Sequence, residues 1–234
     1  MSALLSSLLT EVTHSQSHSP TQSHTHSSDS TRLLTRLLVS DWQDSVEHIA
    51  PLVISLLTHS EPSEKLQGWR MLPVLLRSHY RTHSFIIKPL CQFIDKQSFV
   101  HSLNSSRGVS SVVVDAVSEG VSSIFALALD VSEVSSSVDG QLVKIITTLL
   151  DMMKDHTSGK TTTLLAMYVM SSVVTAKGRL FTPQHLNRVI STSFVLLSDG
   201  HLSGAAAELI AISVSYASTE LYESVWKCLS NGKQ

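Results

Sequence analysis

Apolar residues recur along this chain with the period of a helix rather than of a strand. Val46, Ile49, Ala50, Val53, Leu56 and Leu57 follow the i, i+3, i+4, i+7 spacing that gathers them on one face. Ser40-Asp41 ahead of them is a good N-cap pair, so a helix is predicted from there to about Thr58. A turn at His59-Ser60-Glu61-Pro62 leads into a second helix carrying Leu66, Trp69, Leu72, Leu76 and Tyr80. So short a connection predicts an antiparallel pair. A third helix, about 83–96, carries Phe85, Ile86, Pro89, Leu90, Phe93 and Ile94. Pro51, Pro73 and Pro89 fall inside apolar helical runs, where each removes a backbone hydrogen bond and bends its helix.

After a polar break at Asn104–Gly108, one face gathers Val109, Val112, Val113, Ala116, Gly120, Ile124 and Leu127. The run Val112-Val113-Val114 could form a strand, but the helical period persists over several turns and predicts a helix. Residues 131–139 (VSEVSSSVD) are predicted to be a loop. The cleanest stripe follows in Leu142, Ile145, Ile146, Leu149, Leu150 and Met153, then a turn at Thr157-Ser158-Gly159. The next helix holds Leu164, Leu165, Tyr168, Val169 and Val173. Thr182-Pro183, an N-cap followed by proline at the first helical position, opens a helix that runs to about Leu197. Ser198-Asp199-Gly200 closes it, and two more helices are predicted at about 202–216 and 219–230.

The pattern predicts an all-α chain of about ten helices without a strand. The hairpins at 42–80, 139–176 and 183–217 have roughly the 40-residue length of stacked helical repeats. The signature Ile49-Ala50-Pro51-Leu52 also returns as Ile87-Lys88-Pro89-Leu90. Helical hairpins that bury their faces against neighbours predict an α-solenoid. The hairpin at 42–80 resembles a HEAT/armadillo unit in detail, with proline inside an apolar first helix, a polar turn and Glu64-Lys65 opening the second. The stretch from Pro51 to Gly68 is also similar to the proline-leucine helix segment of Tti-type subunits of the Tel-two cochaperone complex. Pro183-Gln184-His185-Leu186 is similar to a helix start in that family, whereas Thr58-His59 stands where the family has paired acidic residues. The resemblance implies a HEAT-repeat scaffold that helps large kinases to mature.

Ahead of the repeats, Leu4, Leu5, Leu8 and Leu9 predict a short amphipathic helix over 1–12. From Thr13 to Thr31 no large apolar residue occurs, so this His/Ser-rich linker cannot bury enough surface to offset its ordering entropy and is expected to be disordered. The helical-repeat domain is then expected over 32–230, with a tail at 231–234.

Composition narrows the function. Hydrophobic residues make up 42 % of the chain and charged residues only 15 %, with a net charge of −2. No basic field holds phosphate backbones, so dedicated nucleic-acid binding is not expected. Serine is in excess even within the helical runs, and as a mediocre helix former it makes those helices depend on tertiary packing. Cys91 and Cys228 lie far apart in apolar helical patterns, which predicts structural thiols and a cytoplasmic or nuclear location. The N-terminus lacks the layout of a secretory signal, and no uninterrupted apolar run reaches the roughly 20 residues of a bilayer span.

Little in the chain is spaced for chemistry. Ser158-Gly159-Lys160-Thr161 resembles the end of a phosphate-binding loop, but Lys154 occupies the first glycine's position and a helix precedes it. The histidines His14, His18, His24 and His26 lie in the linker without a frame to fix metal geometry. His79 and His83 are four apart with no third ligand at suitable spacing. No catalytic, cofactor or metal residue is nominated. Met152, Met153, Met167 and Met170 read as core. Trp42, Trp226 and Tyr222 are the candidates for partner contact, since large aromatics anchor interfaces. The expected function is a non-catalytic protein-binding scaffold or adaptor subunit of a larger, obligate assembly, without a membrane. A globular helical-bundle regulatory subunit and an enzyme with a spatially assembled site are the alternatives.

Overall fold

Among the described residues, 43–78, 83–96, 98–105, 111–155 and 159–231, the computed structural model holds ten helices. They are α1 (Gln43–Leu56), α2 (Pro62–Ser78), α3 (His83–Asp95), α4 (Ser98–Asn104), α5 (Ser111–Asp130), α6 (Ser132–Lys154), α7 (Lys160–Lys177), α8 (Pro183–Leu196), α9 (Ser203–Val214) and α10 (Thr219–Asn231). A 3-10 turn at Gly178–Leu180 follows α7, and no strand occurs among the described residues. The predicted 1–12 helix, the 13–31 linker, Trp42, His79 and residues 232–234 lie outside the described residues. Packing divides the chain into two compact units, with the boundary between Leu90 and Cys91.

In the first unit α1 and α2 form the hairpin that their apolar stripes predict. Ile49, Val53 and Leu57 are buried from one side, and Trp69, Leu72 and Leu76 from the other. The helices approach so closely that a Cβ on Gly68 would lie 3.0 Å from both Leu56 Cβ and Leu57 N. Only glycine fits that contact without displacing backbone. His59 Nδ1 and Glu64 stand 2.7 Å apart across the turn. The repeated four-residue signature, by contrast, is not a repeat of environment. Ile49 and Ala50 are buried, whereas Ile87 is half-buried and Lys88 exposed. The two prolines thus share a local sequence but sit at different angular positions relative to their cores.

The second unit is built around α7, which packs against α5, α6 and α9. Helix α6 also packs against α4, α5 and α8, and α8 packs against α9. Successive helices therefore fall alternately into two rows, α4–α6–α8 and α5–α7–α9. Ile145, Leu149, Met152 and Met153 of α6 and Leu165, Met167, Val169 and Met170 of α7 are fully buried. The four methionines are core, as their spacing predicts. At the far end Leu221 and Val225 of α10 join a small cluster with Ile190 and Ile210.

Two predictions are corrected here. Residues 131–139 are not a loop, because α6 begins at Ser132. Val134, Val138 and Leu142 recur every fourth position and are all buried, so the helical stripe extends upstream through the serine run. Lys177 fixes this first part of α6: it is only 7 % exposed, donates to the Ser135 hydroxyl, and lies 2.8 Å from the Asp139 carboxylate. The break between α5 and α6 is Val131 alone, in extended backbone. The second correction is Val112, exposed rather than on the buried face of α5; the predicted Ala116, Ile124 and Leu127 are buried, and Val114, Val117, Val121 and Phe125 are buried with them. By length and composition alone, Val112–Asp130 could cross a bilayer (mean hydropathy 1.8), but half of that window is buried inside the protein.

Helix α4 is not anticipated by periodicity, being too short to display a stripe. Phe99 and Leu103 bury it, and Phe99 meets Phe93 edge to face at 5.9 Å. The excess serine is accommodated by back-bonding. Ser123 Oγ donates to Glu119 O, Ser136 Oγ to Ser132 O and Ser193 Oγ to Val189 O. Each hydroxyl is thereby satisfied within its own helix. Thr182 caps α8 as predicted, its hydroxyl accepting from the His185 N–H at 3.2 Å.

Candidate binding groove

A groove of about 610 Å³ opens across the row α5–α7–α9. Helix α5 supplies Ser118, Glu119, Ser122, Phe125, Ala126 and Leu129, a stripe with the i, i+4, i+7, i+11 spacing of one helix face. Helix α7 supplies Tyr168, Ser171, Ser172, Thr175 and Ala176, and α9 supplies Glu208 and Ile212. The buried ring of Phe125 forms part of the lining, while Leu129 is 64 % exposed and Tyr168 is also exposed. Across it, Ser122 Oγ and Ser172 Oγ stand 2.6 Å apart and tie α5 to α7. Among its lining residues Glu119 and Glu208 carry charge and none is basic.

One end of the α7–α9 contact depends on a glycine. A Cβ at Gly178 would lie 2.7 Å from the Tyr216 ring, whose hydroxyl donates to Thr175 O at 3.1 Å. The other end of α7 is tied by Lys160, whose ammonium lies 2.7 Å from the Asp199 carboxylate. The hydrogen bond from Lys160, followed by the His201 N–H, holds the Asp199 carboxyl below its ordinary value. Lys160 belongs to the segment that resembles a phosphate-binding loop. Here it pairs with the Asp199 carboxylate, Gly159 beside it adopts a positive φ of 83°, and the preceding element among the described residues is helix α6 rather than a strand.

The sequence-nominated aromatics are placed elsewhere. Tyr222 and Trp226 lie four residues apart on one face of α10, 51 % and 62 % exposed, while Val225 faces the core. Neither lines the groove, and Trp42 is outside the described residues. Cys91 is half-buried, and burial raises its thiol above the ordinary range against the opposing hydrogen bond of Ser137. That environment disfavours the reactive thiolate. Among the described residues no three His, Cys, Asp or Glu side chains converge as a metal site. The groove itself escaped sequence reading. Its only advance signal is the polar stripe Ser118, Ser122, Ser171, Ser172 within otherwise apolar helices.

Comparison with known protein families finds no matching family model, and comparison with characterised proteins finds no sequence relative.

Proposed function

We propose that the protein is a non-catalytic scaffold of the helical-repeat type, an α-solenoid that binds protein partners through the α5–α7–α9 row. The observation that carries this reading is the groove, which three successive members of one row build together. Support for a repeat array over a closed bundle comes from the pairing: each helix from α5 to α7 meets the helix two places further along, in its own row. Stacks of this kind present extended binding surfaces. The exposed pair Tyr222 and Trp226 offers a second contact, suited to joining a neighbouring subunit. The Pro51–Gly68 resemblance narrows the proposal to a cochaperone adaptor for large kinases. A stable set of partners containing no such kinase would remove that narrower role and leave the scaffold.

Site-specific photo-crosslinking in cells tests the reading. A photoreactive residue placed at Leu129 or Tyr168 of the full chain should give discrete protein adducts that the same residue at exposed Val143, on α6, does not give. Absence of adducts at both groove positions, or the same adducts from all three, overturns it.

A further inference from the structure

We propose that the occupant of the groove is an amphipathic helix with an apolar stripe flanked by lysine or arginine. This rests on the scaffold reading above and specifies its partner. The first ground is charge. Over their whole length α5 and α9 contain only acidic charged residues, Asp115, Glu119, Asp130 and Glu208. Helix α7 carries cations only at its two ends, and both are engaged away from the groove, Lys160 with Asp199 and Lys177 with Asp139. The charged residues of the lining, Glu119 and Glu208, are thus both acidic and border an apolar floor, which a cationic partner complements. The second ground is length. The α5 stripe from Ser118 to Leu129 extends about 16 Å, three turns of helix. The third is shape. The lining comes from i, i+4 ridges of adjoining helices, which receive a further helix by ridge-into-groove packing. No sheet edge is present among the described residues to pair with an extended peptide.

Fluorescence anisotropy with the full chain and three labelled peptides of about four turns each tests the proposal. One is an amphipathic Leu/Lys helix, one its Leu/Glu counterpart, and one a scrambled Leu/Lys sequence without a stripe. The Leu/Lys helix should bind at least about tenfold more tightly than the other two, and less tightly as salt rises. The double variant Glu119→Lys, Glu208→Lys should reverse the preference toward Leu/Glu. The double variant Leu129→Ser, Tyr168→Ala should weaken Leu/Lys binding, with circular dichroism confirming that both variants fold. Equal binding of the Leu/Lys and Leu/Glu helices, or binding indifferent to all four substitutions, overturns the proposal. If crosslinks from positions 129 and 168 persist in that event, the scaffold reading stands and only the occupant is wrong. Loss of those crosslinks as well brings down both.

Discussion

Helices α7 and α10 are similar in kind, each an apolar-rich helix of the second unit, yet they meet opposite surroundings. Helix α7 has neighbours on three sides, and Leu165, Ala166, Val169, Met170, Val173 and Val174 are buried around most of its circumference. Even Thr162 and Thr163 are buried there. Helix α10 touches the core through Leu221 and Val225 and turns Tyr222 and Trp226 outward. Between these two helices a residue's size does not decide its burial. Its row position says more: the smaller leucine of α7 supports the fold, and the larger tryptophan of α10 is available for something else.

The largest test of that contrast is Leu165→Ala. Enclosed on all sides, this side chain should leave a cavity and cost about 2–5 kcal/mol in urea unfolding. A loss below about 1 kcal/mol would mean that α7 is not the centre of the unit. Next comes Gly178→Ala, which drives a methyl group into the Tyr216 ring and should cost about 1–3 kcal/mol. In a Tyr216→Ala background the same substitution should cost much less than in the parent, because the clash disappears with the ring.

A smaller effect concerns the start of α7. The Asp199 carboxyl is lowered in the folded protein, so its contribution is fully present above the ordinary carboxylate value and is lost as pH falls through the lowered folded one. Thermal melts of Asp199→Asn should therefore show a smaller decline in Tm on acidification than the parent, with little change in slope near neutrality. Identical acid-side profiles would break the assignment. The smallest expected effect belongs to α10. Trp226→Ala should change the stability of the isolated chain by less than about 0.5 kcal/mol, since the ring projects into solvent. A large drop in Tm would make the ring a core element and erase the contrast with α7.

Helix positions were legible where local chemistry decides them. The Thr182-Pro183 start, the stripe through Leu149 and Leu150, and the Pro62 turn all follow from neighbouring residues. Reading failed where the local signal was ambiguous. Ser135-Ser136-Ser137 resembles loop chemistry, and only the burial of Val134 and Val138, with Lys177 of the next helix bonded to Ser135 and paired with Asp139, makes it helical. Val112 failed for a related reason, since several valines in succession leave the buried face undefined until neighbours choose it. The recurrence of Ile-x-Pro-Leu misled in the same way, because a shared tetrapeptide does not fix which side of a helix is covered.

The chain's own periodicity determined that its described part is all-helical, where most of those helices begin and end, and that Met152, Met153, Met167, Met170 and the central leucines are core. These depend on residues within a few turns of one another, and the 3.6-residue period records them directly. Only the tertiary structure decided which helices share a row, and so brought Glu119, Tyr168 and Glu208 to one groove. Those residues lie on three helices separated by long stretches of chain. Their meeting is set by how the apolar faces of α5, α7 and α9 pack together, a property of the assembled unit that no local pattern carries.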